Sequence, residues 1–243
     1  MNDNSDSTDD ISSAGPNAPV SLDIATALLR DGRVEEWNRL RADHPDWRPD
    51  LTKVQLTGAQ LPGVNLAGCK LTVANLIDAN LANADLREAN LRLAVMNTCV
   101  LVGAQLEGTA LFHANLQGAD LRNAHMKNTK TRDAYLLDAI LVGADLSGQN
   151  LAWTQLAGAY LDGANLHRTD LTEADLSRCR LVGADLSEAV LDGADLTEAD
   201  LTDAKVDGAD FSNATLDDAV ITGVDFSKAR VIDREQLAAA ASE

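Results

Sequence analysis

The 243-residue chain carries 38 acidic against 20 basic residues, a net charge of −18, with a pI near 4.4. That balance argues against direct binding to nucleic acid or to an anionic membrane. No apolar run approaches the roughly 20 residues of a membrane span.

Residues 1–19 are rich in Asp, Ser, Asn, Gly and Pro and read as a disordered tail. The opening MNDNSDSTDD is acidic and polar, unlike a signal peptide. Residues 20–50 read as a helical N-terminal cap made of two short helices. Ser21 is placed to cap the first, which would put Ile24, Ala25, Leu28 and Leu29 on one side. Asp31-Gly32 breaks it. Val34, Trp37 and Leu40 give the second helix an apolar stripe that ends at His44-Pro45.

From Leu51 the chain changes character. Leucine or a substitute recurs at every fifth residue to Phe226, and leucine itself fills 29 of these 36 central positions. Two residues earlier the chain is small, with Ala at 24 of 35 positions. No insertion breaks the register through residue 231. A period of five fits neither helix nor strand, so each repeat must be a short extended piece and a bend. The small residue and the leucine are two apart and share the inner face. Glycine locates the bend: 14 of the 16 glycines sit two after the central position. Right-angle bends would close a square every four repeats, with coils stacked about 4.8 Å apart.

These residues, with ANL and ADL recurring in one frame, resemble the pentapeptide repeat family and its A(D/N)LXX motif. The resemblance implies an all-β solenoid, a right-handed quadrilateral parallel β-helix of about nine coils. The stretch EEWNRLRADHPDWRPDL resembles a short module ahead of many bacterial pentapeptide repeats, where it would cover the open end of the first coil. Residues 232–243 read as a C-terminal helix, Asp233 followed by REQLAAAA. In gyrase-binding members a C-terminal segment makes a head-to-head dimer, so this helix would cap the last coil or form a homodimer.

Three consequences of the register concern the interior. Cys69, Cys99 and Cys179 fall at the small inward position, as compact reduced thiols, which suits a cytoplasmic protein. Thr109, Thr129, Gln149 and Thr169 stack inside one face, where a ladder of like groups would satisfy them. Thr131 points inward on the same face. The repeat is weakest at HMKNTKTRDAY, residues 125–135, where Lys127, Lys130 and Arg132 cluster.

Charge is uneven along the rod. Residues 51–150 hold 8 acidic and 8 basic residues; residues 151–231 hold 16 and 6, net −10. The repeat explains the many Asp residues, and the four histidines are scattered. There is no GxSxG, Walker loop, HExxH or paired Cys/His spacing. The expectation is a non-enzyme without catalytic residues, metal or cofactor. The family resemblance implies an acidic rod that mimics DNA and binds DNA gyrase or topoisomerase IV. The partner-binding residues would be Asp175, Asp185, Glu188, Asp195, Glu198, Asp200, Asp203, Asp207, Asp217 and Asp218. The gyrase-binding members use Phe heavily at the central position, where this chain has Leu. The alternative is a general protein–protein interaction scaffold. It would use an apolar face with Val100, Val102, Ile140, Val142, Tyr160, Val182 and Val220. A second exposed apolar group contains Val73, Leu93, Phe112 and Trp153.

Overall fold

The structure, a computed structural model, describes residues 19–230 together with residues 232, 237 and 240. The expected tail over 1–19, except its last residue, and most of the expected C-terminal helix lie outside the described residues. Two helices come first. Helix α1 spans Leu22–Arg30, and the Ser21 side chain accepts from the Ile24 N–H at 3.4 Å. Helix α2 spans Val34–Asp43. Ala25, Leu28 and Leu29 of α1 are buried, but Ile24 is 53% exposed. The expected one-sided stripe therefore loses its first residue to solvent.

After α2 the chain winds as a solenoid with a twenty-residue turn. Parallel bridges join residues 20 apart, from Asp50↔Lys70 to Asp200↔Val220. Four faces result, whose pairing residues begin at Asp50, Gln55, Gln60 and Asn65; they are called the first to fourth faces. Each face contributes one bridging residue per coil, because a corner follows two residues later. At each corner the central residue's carbonyl accepts from the N–H three residues on, as in Val54 N to Leu51 O at 3.0 Å. The residue between has positive φ, the type II pattern that favours Gly. That is why glycine marks this position in the sequence.

The lumen is filled by the central Leu and small Ala residues, nearly all buried. Neighbouring coils exchange backbone hydrogen bonds near 2.8 Å, for example Leu56 N to Asn75 O. Side chains of α2 replace the missing coil at the N-terminal end. Trp37 Nε1 donates to Asn65 O at 2.6 Å, and Arg41 Nη2 donates to Ala67 O at 2.6 Å. Asn38 does both jobs: its Oδ1 accepts from Asn65 N at 2.8 Å and its Nδ2 donates to Gly63 O at 2.9 Å. Backbone groups that would otherwise lack partners are thereby satisfied.

One place breaks the pattern. The Lys130↔Asn150 bridge is absent from an otherwise continuous series. The backbone N–H groups of Asn128, Thr131, Asp133 and Asn150 find no backbone acceptor there. The Thr131 hydroxyl donates to Asn150 O at 3.2 Å in place of the backbone bond. This is the stretch where the repeat motif is weakest.

Candidate interaction surfaces

The position before the central residue carries the Asp or Asn of the motif, and its job is local. Its carboxylate or amide oxygen accepts from the N–H two residues on: Asn75 from Ile77 at 3.2 Å, Asp175 from Ser177 at 3.1 Å, Asp200 from Thr202 at 3.0 Å. Such Asx turns hold the chain at the corner. In the second half a hydroxyl adds to the same oxygen, as with Ser177 and Thr202 at 2.6 Å each. The Ser212 hydroxyl and N–H, with Arg230, hold the Asp210 carboxyl below its ordinary value. The turn thus tolerates either residue, and the charge of Asp is additional to it.

The ten acidic residues expected to bind a partner fall on three faces. Asp175, Asp195, Glu198, Asp217 and Asp218 belong to the second face and its corner, with Asp175 and Asp195 directly paired. Asp200 and Asp203 belong to the third face, and Asp185, Glu188 and Asp207 to the fourth. Asp175, Asp185 and Asp200 are half-buried; the others are exposed. Three of them are engaged by cations. Glu188 meets Arg168 at 2.8 Å, Glu198 meets Arg178 at 3.0 Å, and Asp207 lies 3.7 Å from Lys228. The Arg168 hydrogen bond lowers the Glu188 carboxyl from its ordinary value. Structure therefore surrounds the rod with carboxylates instead of gathering them at one spot.

The alternative apolar residues do share the third face. Val100, Val102, Ile140, Val142 and Val182 are half-buried, and Tyr160 and Val220 are 44% and 46% exposed. Two ion pairs interrupt them, Arg122–Asp120 at 2.6 Å and Arg180–Asp162 at 3.0 Å. Arg92 lies over the Phe112 ring at 5.9 Å on the corner of the first face. Val73, Leu93 and Trp153 stand on that same corner, 39%, 46% and 55% exposed. Tyr135, at the end of the weak stretch 125–135 and on the adjoining second face, is 49% exposed and was not among the expected apolar residues.

The interior corrects one expectation. The inward polar groups do not bond to one another. Thr109, Thr129 and Thr169 hydroxyls donate to the carbonyls of Leu86, Leu106 and Leu146 at 2.7–2.9 Å, and Gln149 donates to Met126 O at 2.8 Å. Each partner lies 23 residues back, in the coil beneath. A side chain reaches the second lone pair of a corner carbonyl more readily than a like group 20 residues away.

Nothing in these surfaces resembles a reaction centre. Burial pushes the Cys69, Cys99 and Cys179 thiols up to about 12, so none offers a thiolate near neutrality. Among the described residues no group of three His, Cys, Asp or Glu side chains could hold a metal ion. No described helix is long and apolar enough to cross a membrane.

A square solenoid with a filled lumen and side chains displayed on flat faces defines a repeat protein. The chain belongs to the pentapeptide repeat family: the family model "Pentapeptide repeats" matches eight times, jointly over residues 50–231. Proteins of this family fold as right-handed quadrilateral β-helices and are generally structural or interaction proteins. Comparison with curated proteins finds no match. Among solved structures the chain is similar to HetL, involved in heterocyst differentiation regulation in the cyanobacterium Nostoc, at 34% identity over 72% of this chain and 85% of that one, TM-score 0.39. It is similar to QnrB1, described as a plasmid-mediated fluoroquinolone resistance protein, at 21% identity over 66% and 78%, TM-score 0.53. A thylakoid lumen protein of Arabidopsis thaliana is 30% identical over 42% and 67%, TM-score 0.37.

Proposed function

We propose that the protein is a non-enzymatic rod whose acidic C-terminal half mimics DNA and occupies the basic DNA-binding surface of a type II topoisomerase, either DNA gyrase or topoisomerase IV. Its effect would be to modulate that enzyme or to protect it from inhibitors that trap the cleaved complex. The observation that carries this reading is the charge. Residues 151–231 hold a net −10 in four coils, which span about 19 Å at the strand spacing, or one charge per about 1.9 Å. B-DNA carries one per about 1.7 Å. Like charges stacked in a sheet are unfavourable, and Asn serves the same turn at Asn75 and Asn80. The fold therefore gives no reason to concentrate carboxylates. The likeness to QnrB1 concerns the fold; the topoisomerase reading rests on charge and shape.

The test is a gyrase and topoisomerase IV supercoiling and cleavage assay, with and without a poison, titrating in the full chain. Protection or inhibition that weakens with salt is expected. It should be lost when Asp195, Asp217 and Asp218 are changed to Lys. No effect on either enzyme sinks this reading. The second reading, a scaffold with another protein target, is favoured by the apolar third face. Changing Val102, Ile140 and Tyr160 to polar residues would then abolish partner capture, and the charge reversal would leave it intact.

A further inference from the structure

The corners of the solenoid carry a signal that the repeat does not explain. All 35 corners from Lys53 to Gly223 place one residue at positive φ. Apolar side chains occupy three of them: Val73 (φ 59), Leu93 (φ 58) and Trp153 (φ 64). Left-handed backbone is unfavourable for bulky and β-branched residues, and Gly, Asn or Asp would relax it. The three residues are separated by multiples of 20, so all stand in one column, on the corner of the first face. They are exposed, so burial in the core does not compensate for the strain.

Two further observations fall on the same face. Elsewhere the arginines of the solenoid are paired with carboxylates, as in Arg87–Asp85, Arg168–Glu188 and Arg178–Glu198. Among the described residues Arg92 is the one solenoid arginine with no carboxylate within 4.0 Å, and it lies over Phe112 instead. Lys130 is also unpaired, as are Lys53, Lys127 and Lys205, whereas Lys70 and Lys228 are paired. The missing bridge, Lys130 to Asn150, is also on this face, one coil beneath Trp153. Asp133 stands in the same column between His113 and Trp153, 3.9 Å from His113 and 3.7 Å from Arg132. Glu173 follows Trp153 one coil on, so the positive charge of the edge is confined to the coils from Arg92 to Lys130.

We propose that this edge is a docking surface for an acidic amphipathic α-helix of a partner protein. Val73, Leu93, Phe112 and Trp153 are the apolar contacts, and Arg92 and Lys130 face the acidic flanks. The stripe rises by one coil, about 4.8 Å, from Val73 to Leu93 and on to Phe112, and by two coils, past Asp133, to Trp153. A helix rises about 5.4 Å per turn, so side chains one turn apart, alternating i, i+3 and i, i+4, stay within about 2–3 Å of the coil spacing over the four coils. From Val73 to Trp153 is four coils, about 19 Å, the length of roughly 13 helical residues. Charge complementarity selects an acidic helix. A single-stranded nucleic acid fits less well, because Val73 and Leu93 give no stacking surface and the chain carries −18 overall. This proposal does not rest on the topoisomerase reading.

The experiment selects random 16-residue peptides by display against the full chain, then measures binding of the enriched peptides by fluorescence anisotropy. Enrichment of acidic sequences with apolar residues at helical spacing is expected. Their affinity should fall at least about tenfold in Leu93→Gly, Trp153→Gly and Arg92→Ser, in keeping with hot-spot anchors. The melting temperatures of the two glycine variants should hold or rise, because the strain is relieved. If those variants melt lower and bind unchanged, the apolar corners serve the fold and the proposal fails. It also fails if enriched peptides are not acidic or ignore the edge. Edge-dependent binding of an oligothymidine probe, or an edge-dependent dimer on a sizing column, would replace the peptide with another occupant and overturn it.

Discussion

Thr109, Thr129, Thr169 and Gln149 each reach a carbonyl 23 residues back. Cys179 does the same with Leu156 O at 3.0 Å. Thr154 is the exception. Its partner by this rule would be the Thr131 carbonyl, which lies in the disrupted stretch, and its buried hydroxyl has no partner. A buried hydroxyl without a bond is an uncompensated desolvation, whereas a bonded one is worth about 1 kcal/mol. Thr169→Val should therefore cost about 1 kcal/mol, and Thr154→Val should be neutral or stabilising. Urea denaturation of the two variants checks this. Equal losses would show that Thr154 is satisfied in solution. The sequence announced which residues point inward, because small and central positions are two apart. It did not announce their partners. Those depend on a corner carbonyl's second lone pair, a feature of backbone geometry with no residue type attached.

At the scale of elements, the five-residue period wrote out the coil, because every corner asks for the same backbone and the register never slips. The helices were readable too, from Ser21 and from the Trp37 stripe. What periodicity left out is how α2 meets the first coil. Trp37 looked like a core aromatic. It is buried, but its indole N–H also closes a backbone gap at Asn65 O. Asn38, which nothing in the sequence pattern singles out, supplies both an acceptor and a donor to the coil edge. Removing it leaves Asn65 N–H and Gly63 C=O unpaired. Asn38→Ala should cost about 1–2 kcal/mol, and Asn38→Asp, which keeps the acceptor for Asn65 N–H, should cost less. Chemical denaturation orders the three proteins. An Ala variant as stable as the parent would mean that water replaces both bonds.

Over the whole molecule, two boundaries coincide. The ladder is broken where the Lys130–Asn150 bridge is missing, and the charge changes from neutral to strongly acidic after residue 150. A solenoid coil is held only by its neighbours, so a missing bridge is a local weakness that no distant contact repairs. The acidic coils also repel one another, which adds load at the junction. The candidate surfaces were only half visible from the sequence for a related reason. Residue type showed which side chains are charged or apolar. Their grouping by column follows from the twenty-residue turn, and the strain at Val73, Leu93 and Trp153 follows from the backbone angle. The junction should open before any other part of the repeat region. In hydrogen exchange, peptides covering Thr131, Asp133 and Asn150 should lose protection at least about a hundredfold faster than those covering Leu111 or Leu171, whose N–H groups bond to the next coil at 2.8 and 2.7 Å. Raising the salt should slow that opening by screening the acidic coils. Uniform exchange along the rod would show that the two halves are continuously bonded, and the coincidence of the two boundaries would then carry no mechanical meaning.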